Sequence, residues 1–386
     1  MSEYQRIAFR AIDGPVGEKD LQFMRRQSTR AEITPWAFDN EYHWGDFHGD
    51  ATEMLRRGYD LFLHYANFGV RTLHLRLPYG LPDPEAAAPY LGEDFVQFLP
   101  DKRGHGGILA IEPYFEAGEL DELWDLNEVL GRLLPLRAEI LDGDLRPLYL
   151  AHLAIASDGN HDPEETTEAP VPAGLQKPTD AQRALVQFVG LSDSLVAAAA
   201  GEAPPSVARS DSRRQFAEWI SRQPAATKDE WLVQWMTDPH SAARKELLAE
   251  FQQTQGAPLW PTVRPARTIA ELERKATEVQ RESDRKAIEN AARKRAKRLA
   301  GMVADPDRTL RKTEELVAGR SREAYHEIAT LLAELREALA GSERAGLAER
   351  QAQSLRAQNP TLRVLISELR RQGFLPKEIP TRRSGA

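Results

Sequence analysis

The chain has 386 residues, with 51 Lys and Arg against 59 Asp and Glu, 41% hydrophobic residues and no cysteine. That is an ordinary globular balance on a chain long enough for two or three domains. The missing thiols exclude disulfide frameworks, thiolate nucleophiles, iron–sulfur clusters and sulfur-ligated zinc. The opening Met1-Ser-Glu-Tyr-Gln-Arg6 has no apolar signal core and no apolar run reaches membrane-span length, so the expectation is a cytoplasmic protein with no membrane partner.

Charge is unevenly spread. Residues 1–160 hold 15 basic and 27 acidic side chains, residues 161–260 hold 9 and 14, and residues 261–386 hold 27 and 18. An acidic front and a basic rear imply separate surfaces with different partners, or a rear that folds back on the front.

Tyr4–Asp13 alternates and predicts a strand, and Gly17–Gln27 predicts a helix on Leu21 and Met24. Ile33–Phe38 and Tyr42–Phe47 read as strands. Asp50-Ala-Thr-Glu53 has capping-box chemistry, and Leu55, Tyr59, Phe62 and Ala66 extend a helix from it to Asn67. Arg71–Leu77 reads as a strand with Leu73, Leu75 and Leu77 inward and Thr72, His74 and Arg76 outward. Phe95–Leu99 and Ile108–Ile111 form a hairpin across Asp101–Gly107. Leu120, Leu123, Val129, Leu130 and Leu133 mark a helix, and Pro147–Ala156 another.

Together these predict an acidic α+β domain over 1–157, with a mixed or antiparallel sheet open to a split β-α-β arrangement. Residues 158–180, rich in Pro, Glu, Thr and Gly, read as an acidic linker or surface loop. A helical region, 181–257, follows as Ala181–Ala200, Ser212–Arg222, Lys228–Thr237 and His240–Gln253, held by Trp219, Trp231 and Trp235. Residues 262–376 read as a long basic helix, Thr268–Ala300, and helical hairpins, with a tail at 377–386. Asp305-Pro306 starts one helix and Ser342 another. Tyr325, Ile328, Leu332, Leu335 and Leu339 mark a buried stripe, and Asn359-Pro360 starts the last helix on Leu362, Leu365, Ile366 and Leu369.

The stretch Thr309–Phe374, ending Asn359-Pro-Thr-Leu-Arg-Val-Leu-Ile-Ser-Glu-Leu-Arg-Arg-Gln-Gly-Phe374, resembles the helical tail that follows the zinc module of bacterial SWIM zinc-finger proteins. The family's Cys-x-Cys and Cys-x-His ligands have no counterpart in a chain without cysteine. The resemblance therefore implies a helical docking segment and no zinc. Ala31-Glu-Ile-Thr-Pro-Trp36 and Leu63-His-Tyr-Ala-Asn-Phe-Gly69 resemble uncharacterised bacterial proteins to which no activity attaches.

Asp39, Glu41, His43, Asp46, His48 and Asp50 crowd metal-capable side chains into twelve residues. Gly45-Asp-Phe-His-Gly-Asp50 and Gly159-Asn-His-Asp162 resemble the first and third signatures of calcineurin-like metallophosphoesterases, which hold two divalent ions that generate a hydroxide and clamp a phosphate. The resemblance would make Asp46, His48, Asn160 and His161 the ligands. The family's Gly-Asp-x-x-Asp and Gly-His-x-His are missing, and an acidic strand edge with an Asx-type turn accounts for the same residues. Lys102-Arg-Gly-His-Gly-Gly107 offers backbone N–H groups and charge to a phosphate, against the plainer reading of a glycine hairpin loop.

His64, read as helical, and His74, on a strand, are candidates to line a catalytic pocket with Tyr65 and Arg76, against packed and hydrogen-bonded histidines. Arg285, Lys286, Arg293, Lys294, Arg295, Lys297 and Arg298 are candidate nucleic-acid contacts on one helix, against a solvated or docking helix. No nucleotide loop, nucleophile elbow, zinc-protease or kinase signature occurs.

The reading favoured is a non-catalytic interaction or accessory subunit of a bacterial multi-protein assembly. It would have a protein partner, oligomerisation through the C-terminal helices left open, and no cofactor. A divalent-metal phosphoesterase and a nucleic-acid-binding accessory protein are the alternatives.

Overall fold

The computed structural model describes residues 4–92, 95–113, 115, 125–157, 161–205, 212–237, 247, 250–251 and 260–376. The chain forms two compact units, 1–280 and 281–386. It has the predicted architecture, an α+β first part followed by helices.

The first unit is built on seven antiparallel strands: β1 (Gln5–Arg10), β2 (Glu32–Ile33), β3 (Ala37–Tyr42), β4 (Leu61–Ala66), β5 (Arg71–Leu77), β6 (Val96–Pro100) and β7 (Gly107–Ile111). Their order is β2-β3-β1-β4-β5-β7-β6. One face carries Ile7, Phe9, Phe38, Phe62 and Ile108 under helices α1 (Glu18–Gln27) and α2 (Ala51–Arg57), which contribute Leu21, Met24, Met54 and Leu55. The other carries Leu61, Leu63, Leu73, Leu75, Leu109 and Ile111. It packs on helices α4 (Leu126–Leu133), α5 (Pro135–Leu141), α6 (Arg146–Ala156), α7 (Asp180–Phe188) and α8 (Asp193–Ala200), while a short α3 (Pro84–Ala87) precedes β6.

Cover on both faces explains the main misreading of the sequence. The helix predicted from Asp50 to Asn67 ends at Arg57, because Gly58 takes a φ of 151° that other residues avoid. Leu61–Ala66 is then a central strand, and a strand buried on both sides is continuously apolar rather than alternating. The same cover buries His74, expected to face outward, to 6% exposure. The strand expected at Tyr42–Phe47 is displaced: β3 ends at Tyr42, and Phe47 folds from the following loop onto Phe9 and Phe38.

Of the 158–180 stretch, read as a linker or surface loop, residues 161–180 are described; they lie inside the first unit, and 168–175 are largely buried. Val171–Pro172, β8, pairs antiparallel with Thr262–Val263, β9. The buried Glu168 accepts from Tyr149 Oη at 2.5 Å and from Arg267 Nε. Arg146, paired with Asp144 at 2.6 Å, donates to the carbonyls of Gly174 and Lys177. Backbone pairing and a charge network hold this stretch, so its poverty in large apolar residues misled.

Beyond it, Ala181–Ala200 is two helices parted at Gly190, whose φ is 68°. Helices α9 (Ser212–Arg222) and α10 (Ala225–Thr237) follow, with Trp219 stacked on Trp231 at 5.5 Å. Leu120, Leu123, most of His240–Gln253 and the 377–386 tail lie outside the described residues. Helix α11 (Ile269–Ala304) buries Ile269, Leu272 and Ala276 in the first unit's core before the division at 280.

The second unit contains α12 (Pro306–Ala318), α13 (Arg322–Ala338), α14 (Leu347–Gln358) and α15 (Arg363–Arg371). Asp305 caps α12 by accepting from Arg308 N at 3.0 Å, and Ser321 caps α13 through Ala324 N at 3.1 Å. The predicted stripe of Tyr325, Ile328, Leu332, Leu335 and Leu339 is buried, against Ala352, Leu355, Leu365 and Leu369. The helix expected from Ser342 begins at Leu347, after turns.

Helix α5 positions an enclosed ion cluster of the first unit. Arg137 donates to both oxygens of Asp13, at 3.0 and 2.6 Å, and its Nε reaches the Arg76 carbonyl at 2.6 Å. Asp60 stands 3.2 Å from the same guanidinium and accepts from Ile12 N and Asp13 N. Arg137→Ala leaves the buried Asp60 and the part-buried Asp13 without the guanidinium they share. It should cost about 3–5 kcal/mol, read as a fall in the urea midpoint of the first unit.

Candidate functional site

Residues 281–298 of α11 are exposed at every position. Two ion pairs account for the part of it before about residue 294. Arg298 meets Glu334 of α13, and Arg295 meets Glu337 at 2.5 Å. Both pairs sit three residues apart on their helices, which fixes the two antiparallel. In that register Ala338, the last residue of α13, is level with about residue 294 of α11. The helix N-terminal to that level has outrun its packing partner in the second unit.

All seven predicted cations are therefore on one exposed helix, but they are not equivalent. Lys286 pairs with Glu282 at 2.7 Å and holds that carboxyl below its usual pKa, and Arg285 lies 3.8 Å from Glu289. Arg293, Lys294 and Lys297 have no ion-pair partner among the described residues. At 100° per residue, Lys286, Arg293 and Lys297 fall within about 40° of one another, with Lys294 about 60° beyond. Ile288, 70% exposed, lies with Ala292 and Arg295 on the far side. Between α11 and α13 runs an open groove of about 480 Å³, lined by Arg295, Ala333, Glu334, Glu337 and Ala340 among others. Oε2 of Glu334 is buried there without a hydrogen-bond partner among the described residues.

The two histidine candidates share one face of adjacent strands. His74 lies directly across from Phe62, and His64 is two residues along from Phe62. Tyr65 points to the opposite face with Leu63, so it does not join them, and Arg76 is engaged by Asp101 at 2.6 Å. His64 is held through Gln5, a residue the sequence reading passed over. Gln5 Nε2 donates to Asp46 Oδ1 at 2.8 Å, so Gln5 Oε1 accepts from His64 Nε2 at 3.0 Å. His74 Nε2 bonds Glu112, whose pKa that hydrogen bond lowers, while Nδ1 is buried without a partner among the described residues. Burial lowers the pKa of His64 against a smaller opposing pull from Asp46.

Asp46 is thus a positioning group for Gln5. His48 is exposed on the same loop, His161 is exposed in the segment after α6, and Asn160 lies outside the described residues. Among the described residues no three His, Asp or Glu side chains gather as a metal site. Burial lowers the pKa of His152 on α6, against a smaller opposing effect of its hydrogen bond with the Tyr90 backbone. Nothing in the sequence singled out His152 beyond its place in an apolar helix. In the 101–107 loop, Lys102 and Arg103 are exposed, and a side chain at Gly107 would run into the Phe98 ring, which gives that glycine a packing role.

Because folding lowers the pKa of His64 and His152, the unfolded chain takes up these protons first as pH falls. Stability is full above about pH 6.5 and declines as pH drops from there toward the folded pKa values. Urea midpoints taken from pH 7.5 to 5.5 should fall, and His64→Gln should flatten part of that slope.

No protein-family model, no curated protein sequence and no solved structure matches the chain.

Proposed function

We propose that this chain is a non-catalytic accessory subunit of a multi-protein assembly, and that α11 between residues 281 and 298 is the element that docks on another protein. The observation that carries this reading is the exposure of all of 281–298, in a helix buried only toward its ends. A helix without tertiary cover draws on propensity and on pairs such as Glu282–Lys286, each worth about 0.2–0.5 kcal/mol. It is long, Ala-rich and without Pro or Gly from 269 to 300, so the exposed 281–298 stretch stays helical. The exposed Ile288 gains by cover, since shielding such a side chain contributes about 1.5–3 kcal/mol. The reading asks for no cofactor and places the protein in the cytoplasm. Self-association through the same helices is a variant of it.

Site-specific photo-crosslinking tests this in cells. A photoreactive residue at Ile288 should give one discrete protein adduct, and one at the exposed Lys19 of α1 should not. Ala292→Pro, which breaks the helix at a cost of about 3 kcal/mol, should abolish the adduct and leave the first unit folded. Absence of any adduct at 288, or an adduct to nucleic acid, overturns the proposal.

A further inference from the structure

The two flanks of α11 are treated differently. On the flank facing α13, Arg295 and Arg298, three residues apart, meet Glu337 and Glu334, also three apart, on an antiparallel helix. On the other flank, Arg293 and Lys297 are four apart, with Lys294 at its edge three from Lys297, and no carboxylate of another helix pairs with them among the described residues. Cations recur at three or four residues on both sides, and only one side is answered by another helix.

We infer that the free flank of α11 binds a helix of a partner protein whose Asp or Glu side chains recur at three- and four-residue spacing, repeating outside the molecule the pairing with α13 inside it. This rests on the docking reading above and names the partner's chemistry. Helices packed at a shallow angle present residues three and four apart to each other, so carboxylates at that spacing reach cations at that spacing. A nucleic-acid backbone fits less well. No aromatic side chain occurs in 281–298 for a base to stack on, and the Arg295–Glu337 and Arg298–Glu334 pairs already match cations of this helix to carboxylates of another.

The experiment uses the full chain with the photoreactive residue at Asn290, which helical phase places amid Lys286, Arg293, Lys294 and Lys297. The crosslinked partner peptide, sequenced by mass spectrometry, should carry Asp or Glu at three- or four-residue spacing. Arg293→Glu with Lys297→Glu should lower adduct yield about tenfold or more, as should raising salt to about 0.5 M, because exposed pairs are weak singly and screened. Lys19→Glu, on the exposed face of α1, should leave the yield unchanged. An adduct to nucleic acid, to a second copy of this chain or to a segment without such carboxylates overturns the inference, as does a yield indifferent to the double reversal. An adduct from Ile288 with none from Asn290 leaves the docking reading standing and sinks only this one. None from either position sinks both.

Discussion

Arg298 meets Glu334 and Arg295 meets Glu337, and this matched spacing decides what the second unit exposes. Sliding α11 along α13 by one turn would part both pairs at once, so the register is specified by charge as well as by Leu299 and Met302 against the core. Since α13 stops at Ala338, the same register dictates how much of α11 is left without a neighbour in its unit. The bare stretch follows from the difference in length between two helices that must lie side by side. Arginine suits this task, because its fork holds a carboxylate in a fixed geometry that a lysine ammonium does not impose.

The first unit handles charge in the opposite way. Its acidic excess suggests a negative surface, yet Asp13, Asp60, Asp144 and Glu168 are turned inward. Arg137, Arg146 and Arg267 meet them there. A buried carboxylate must be paired and hydrogen-bonded, since an uncompensated one costs several kcal/mol. These clusters tie segments far apart in sequence: α5 to the loop after β1, and the 168–175 strap to the chain just before α11. They specify which loop lies where, while Leu61, Leu73, Leu75 and their neighbours supply the apolar burial that drives collapse.

What the sequence made legible follows from the same physics. Helices α12 and α13 were readable because one face is buried and one is wet, giving the 3–4 spacing from Tyr325 to Leu339, and because Asp305 and Ser321 sit where cap side chains must. Strand β4 was misread because burial on both faces erases the alternation that identifies a strand. The 158–180 stretch was misread because it is held by backbone pairing and by partners about 20 to 100 residues away, such as Tyr149 and Arg267 for Glu168. Composition cannot show such partners. The histidines fall between these cases. Their strand positions could be counted, but Gln5 as the link between Asp46 and His64 depends on register across β1 and β4.

The cations of α11 and the guanidinium of Arg137 mark the two limits of what an unpaired charge costs. At Arg137, 3% exposed, leaving the charge unanswered is intolerable, so the fold supplies Asp13 and Asp60. At Arg293, Lys294 and Lys297, in open water, an unanswered charge costs almost nothing, and an exposed pair would add at most about 1 kcal/mol. Folding therefore exerts little demand on these three positions in either direction. Their shared flank is a feature that stability does not require, and it is available to a carboxylate-bearing surface that arrives from outside.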